Sequence, residues 1–143
     1  MCTDHDVDNN TETDDPRSGY KLVSSWPKYP ADMHFEMGSG IAVDEAGIIY
    51  AFTRDIEHWA THPLAMADKM GKSSISMFNR EGEYLGIWGP SGERGFALGG
   101  HTLYIEKDGM FWTTDRDGHT VKKYTPDGEL LLTLGTFGEW GCD

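Results

Sequence analysis

Residues 101–135 read HTLYIEKDGMFWTTDRDGHTVKKYTPDGELLLTLG, and this stretch decides the fold. Short apolar alternations fall at Leu103 and Ile105, at Phe111 and Trp112, at Val121 and Tyr124, and from Leu130 to Leu134. KDG and PDG separate them, with glycine at the place where a hairpin loop needs a positive φ. Runs of this length and period read as strands. Earlier in the chain, residues 40–54 (GIAVDEAGIIYAFTR) and 75–89 (ISMFNREGEYLGIWG) repeat the pattern. Aligning Gly47 with Gly109 pairs Ile41 with Leu103, Val43 with Ile105, Tyr50 with Trp112 and Arg54 with Arg116, at an offset of 62. Aligning Gly82 with Gly128 pairs Phe78 with Tyr124 and Leu85 with Leu131, at an offset of 46. The first copy therefore carries 16 extra residues between its halves.

Each copy is expected to form four antiparallel strands, and hairpins every ten or so residues at a period near 45 are the mark of a β-propeller blade. No βαβ spacing is present, which excludes a doubly wound parallel sheet. The expected class is all-β: two four-stranded blades plus a lone N-terminal strand. The expected organisation is an acidic disordered tail over 1–19, a spare outer strand over 20–30 able to close a ring, a first blade over 31–89, and a second over 90–143. The first blade contains the insertion, about 57–72, in which Pro63 and Gly71 bracket a possible short helix. This excursion is either a lid over a binding face or a packed decoration.

Of the 143 residues, 12 are Lys or Arg and 24 Asp or Glu, a net charge of −12. An acidic chain has little to offer a nucleic-acid backbone or an anionic membrane surface. Six of the acids lie in residues 1–15, which contain no Lys or Arg and almost no large apolar side chain, the composition of a disordered tail. No transmembrane run and no signal-peptide pattern is visible, so a soluble, cytoplasmic chain is the default expectation. Cys2 and Cys142, at the two extremes, form neither a disulfide framework nor a CxxC metal spacing.

The pattern GxAVDxxGxxY…F…GxxLxxWG resembles the NHL repeat. WPKYP at 26–30 with GSGIAVDEAGIIYAFTRD at 38–55, and GFALGGHTLYIEKDGMFWTTDRDGHTVKKYTPDGELLLTLGT at 95–136, are similar to the bacterial peptidyl-α-hydroxyglycine α-amidating lyases, whose fold is a six-bladed NHL propeller. The resemblance implies a lyase that splits a C-terminal α-hydroxyglycine into a peptide amide and glyoxylate, so the implied partner is a peptide or small α-hydroxyglycine-type substrate. It implies a zinc ion held by three histidines, one from every second blade, with His101 matching the first. It implies that Arg54 is the active-site arginine. The family follows that arginine with Gly, an acid and His, whereas here Arg54 is followed by Asp55-Ile56-Glu57-His58, and the family's general-base tyrosine has no match.

Such residue types suit the chemistry. A zinc ion stabilises a developing alkoxide, and an arginine grips a carboxylate through a bidentate fork. Each residue also has a plainer reading. His101 is an isolated histidine, and Arg54 is able to end a strand by pairing with Asp55 or Glu57. His119 reads as a turn residue. His58 and His62 are four apart, a spacing that on a helix places both on one face, but lack the glutamate of a zinc peptidase. The DRDG at 115–118 offers calcium a partial ligand run but lacks the spacing of an EF-hand, and reads as a polar β-turn.

A three-ligand zinc site needs more than the one matching histidine of this chain. Either the chain is the N-terminal part of a longer propeller, or three copies form six blades and bring three His101 rings together. The spare strand at 20–30 favours the first, because each copy already has its own outer strand. The non-catalytic alternative is an NHL-repeat module that presents its loops to protein partners.

Overall fold

In a computed structural model, the described residues are 19, 21, 23–31, 37–54, 73–89, 97 and 99–141. The acidic tail expected over 1–19 falls outside them but for Gly19, and the insertion at 57–72 falls outside them entirely. The eight strands are β1 (Met37–Val43), β2 (Ile49–Arg54), β3 (Ser74–Phe78), β4 (Tyr84–Trp88), β5 (Gly100–Ile105), β6 (Phe111–Asp115), β7 (Thr120–Tyr124) and β8 (Leu130–Leu134). They form two antiparallel sheets, β1-β2-β3-β4 and β5-β6-β7-β8, each in chain order. The all-β class and the two four-stranded blades are thus as the sequence predicts. Among the described residues no helix is long and apolar enough to cross a membrane.

Four of the hairpins within the sheets close in one way. In the loops 44–48, 79–83, 106–110 and 125–129, the first N–H donates to the fifth carbonyl and the glycine N–H at the fourth position donates to the first carbonyl. The glycines, Gly47, Gly82, Gly109 and Gly128, have φ of 84, 80, 84 and 88°. This is a type I turn followed by a left-handed residue, the geometry that makes a G1 bulge and that glycine adopts without steric cost. The repeat extends to the irregularities of pairing. Register shifts lie between Gly38 and Gly40 in β1 and between Gly100 and Thr102 in β5. A second pair lies between Met77 and Phe78 and between Lys123 and Tyr124. Both pairs match at the offsets of 62 and 46 read from the sequence.

The core lies between the two sheets. Alternation along β2 and β3 turns Tyr50, Phe52, Arg54, Ile75 and Met77 toward the second sheet, which answers with Leu103, Phe111 and Tyr124. Phe52 and Ile75 are fully buried. Trp88, at the end of β4, stacks on Phe111 at 3.9 Å and 16°, and meets Tyr124 edge-on at 5.7 Å. Tyr50 makes an edge contact with Phe111 at 5.0 Å. Aromatic pairs in these geometries add about 0.5–1.5 kcal/mol beyond area burial. Gly100 is required by close approach: a Cβ there would fall within the Phe52 ring.

The opposite face of the first sheet carries Phe78, also fully buried, which is covered by the segment expected to form a lone strand. Its described residues turn at Ser24–Ser25 and reach the sheet through one parallel bridge, Lys28 to Glu83. The outward face of the second sheet is open, with Tyr104, Leu132 and Leu134 exposed.

On that same face, Glu106 accepts hydrogen bonds from Lys123 Nζ at 2.8 Å and from Trp112 Nε1 at 2.8 Å. These two donors, the lysine first, hold its carboxyl below the ordinary carboxylate range. A depressed carboxylate stabilises the fold above its unfolded value, and the effect is lost as pH falls through the folded one. Glu106→Gln is expected to lower the urea midpoint at about pH 7, the gap from wild type narrowing by about pH 3. A gap independent of pH would show that ionisation of Glu106 contributes nothing.

Candidate functional site

Arg54 ends β2, and β5 begins beside it with Gly100 and His101. The Arg54 side chain is 8 % exposed and donates Nε to the carbonyl of Gly100 at 2.6 Å. Burial foremost, and then the nearby Arg116 guanidinium, lowers the Arg54 pKa from its ordinary value, with Asp117 acting in the opposite sense. The guanidinium therefore joins the two sheets at their strand ends. The surface pairing with Asp55 or Glu57 is not a contact the described residues contain, since both acids fall outside them.

A second junction was not singled out from the sequence. Asp115, 3 % exposed at the end of β6, accepts the N–H of Gly99 at 2.8 Å and of Gly118 at 2.9 Å through Oδ1. Arg116 N donates to Gly99 O at 3.0 Å. The turn 116–119 is in this way tied to the entry of β5, and DRDG is the polar turn its composition predicts. His119 lies in that turn with φ 54° and its ring against Trp140, centroids 4.6 Å apart. Arg116, the repeat partner of Arg54, pairs instead with Asp117, Nε to Oδ1 at 2.8 Å and a terminal N–H to Oδ2 at 3.1 Å. The available signal was the alignment of Arg54 with Arg116, which marks the strand end but not the contact partner.

His101 is the residue skipped in the β5–β6 register, and bulged residues are re-aimed relative to their neighbours. Its ring is exposed, with Nδ1 3.2 Å from Thr102 Oγ1. It borders an open depression of about 330 Å³ shared with Thr114, Asp115, Arg116, His119 and Val121. Arg54 is not among the residues lining this depression. Among the described residues no three His, Cys, Asp or Glu side chains gather to hold a metal ion. One histidine of this kind does not fit a three-histidine zinc site. At the opposite strand ends, the hairpins 44–48 and 106–110 flank a second depression of about 260 Å³. There Asp44 is engaged by the Ile48 N–H and the Tyr50 hydroxyl, at 2.9 and 3.1 Å.

No family model matches the chain. The chain is 31% identical over 130 residues to NHL repeat-containing protein 3 of Homo sapiens, a match covering 85% of this chain and 32% of that protein. It thus spans about a third of the length of this curated relative. The similarity and the two matching four-stranded sheets together support an NHL-type repeat as the unit from which this chain is built.

Proposed function

We propose that the chain is a two-blade NHL-type module that acts by binding protein surfaces rather than by catalysis. The observation that supports this reading is the hydrogen bond from Arg54 to Gly100 O. The Nε–H of the guanidinium that the family resemblance assigns to substrate is engaged in joining the sheets. The partners are further blades and the proteins that a propeller rim engages. Further blades from a longer chain suit the molecule better than two more copies, because residues 23–31 already cover part of the first sheet's outer face. Zinc is the metal the resemblance suggests, and calcium is the other metal to consider, from the DRDG run at 115–118. His101 alone is too few ligands for a three-histidine zinc site.

The second reading is the amidating-lyase type, and one observation favours it: the His101 ring stands free to solvent beside the 330 Å³ depression. The two readings separate in one experiment. The purified chain is given excess zinc and a peptide ending in α-hydroxyglycine, and bound zinc and released glyoxylate are measured. Neither is expected above background, and His101→Ala is expected to change neither. Stoichiometric zinc and glyoxylate release, both lost in His101→Ala, would overturn the binding-module proposal.

A further inference from the structure

Trp88 shows how one blade closes on the next. Besides its contacts with Phe111 and Tyr124, it donates Nε1 to the carbonyl of Pro126 at 2.6 Å, so it sits on the hairpin 125–129. One repeat earlier, Tyr124 and that hairpin correspond to Phe78 and the hairpin 79–83. Trp26 occupies the corresponding place there. Its ring lies 5.9 Å from that of Phe78 and fills the space a Cβ on Gly82 would need. Lys28 N donates to Gly82 O at 2.8 Å. Tyr29 meets Phe78 edge-on at 5.1 Å and Tyr84 at 6.4 Å. Residues 26–29 thus stand in for the outer strand of a preceding blade, while the inner part of the same face stays open at Ile41 and Val43, 64 % and 58 % exposed.

The other outward face, on the second sheet, carries Trp112, Arg116, Val121 and Leu134 at the positions that in the first sheet are Tyr50, Arg54, Ile75 and Trp88. The two outward faces thus match the halves of the interface between the blades at these positions, with Thr114 in the place of Phe52 and Lys123 in the place of Met77. Faces that complement each other head to tail add copies until a ring closes or a filament grows. Repeat arrays need a cap against this.

Resting on the reading of the two sheets as neighbouring blades, we propose that residues 23–31 form a strap that caps the first sheet. The strap prevents a second copy of this chain from docking its second sheet there. Trp26 holds the place on Phe78 that Leu134 of a second copy would require.

The test is the mass of the full chain by light scattering across a concentration series. The wild type is expected to be monomeric, with or without Leu134→Lys. Trp26→Ala with Tyr29→Ala is expected to raise the mass at least about twofold at high concentration, the signature of heterologous association. Adding Leu134→Lys to that variant restores the monomer. Trp26→Ala alone, which leaves Tyr29 on Phe78, is expected to give the same shift at higher concentration and serves where the double variant does not fold. Three results overturn the proposal: folded strap variants that stay monomeric, association that Leu134→Lys does not reverse, or a strap variant that unfolds without associating even as the single substitution. Glyoxylate release would sink the binding-module reading without moving these masses, so the two failures are distinct.

Discussion

Phe52→Ala is expected to lose about 3–5 kcal/mol of unfolding free energy, the range for removing a buried phenylalanine and leaving a cavity. The upper part of that range applies here. Phe52 is fully buried, and its ring lies against the glycine at the start of β5, where backbone rather than a flexible side chain forms the wall. A backbone wall does not collapse into the void. With total stabilities of about 5–15 kcal/mol for small domains, a loss of that size removes from about a fifth to all of the total. Urea unfolding followed by tryptophan fluorescence checks this, since Trp88 reports on the same interface. A cost below about 1 kcal/mol would mean that the sheets do not depend on this contact, contrary to the packing energies expected for such a site.

Arg54→Met is expected to cost about 1–3 kcal/mol, the penalty for leaving a buried carbonyl without its donor. Two effects oppose each other at this position. The lost bond from Nε to Gly100 O destabilises, while removing a desolvated charge near Arg116 relieves part of the strain that lowers the Arg54 pKa. The orphaned carbonyl prevails, because Gly100 has been drawn from water by the sheet contact that Phe52 makes. Arg54→Lys is expected to cost at least as much, as it keeps the charge in place and loses the planar donor geometry. Urea midpoints of the two variants measured together decide this. A neutral Arg54→Met would remove the guanidinium from the account of how the sheets are joined.

The strands and their turns are legible in the sequence because both signals are local. Alternation at Leu103 and Ile105 assigns a face, and the glycine of KDG or PDG supplies a backbone conformation that other residues avoid. The matching bulges are less visible. Ser39 and His101 are each an ordinary residue at a strand start, and only the pairing shows that the register passes over them. His101 could be picked out as a candidate, but not the depression it borders. Arg54 had the same limit: its partner is a backbone carbonyl on the other sheet, 46 residues away in sequence, and no residue type announces a carbonyl. Residues 20–30 read as a strand by alternation, yet the contact that matters is made by Trp26 and Tyr29 after a turn at 24–25. That turn answers to the aromatic surface of Phe78 and Tyr84, which only the folded sheet assembles.

The shared closure of the four hairpins frees a set of positions from architecture. In these four loops main-chain bonds between the first, fourth and fifth residues set the closure, and the glycine meets the one conformational demand. The second and third residues are accordingly Glu45 and Ala46 in one loop, Arg80 and Glu81 in another, then Lys107 and Asp108, then Pro126 and Asp127. Acid, base, small and cyclic side chains all occur on an unchanged backbone. Each hairpin is a fixed socket with two interchangeable pins, so the surface of this molecule can drift in charge and chemistry while its scaffold keeps the same shape.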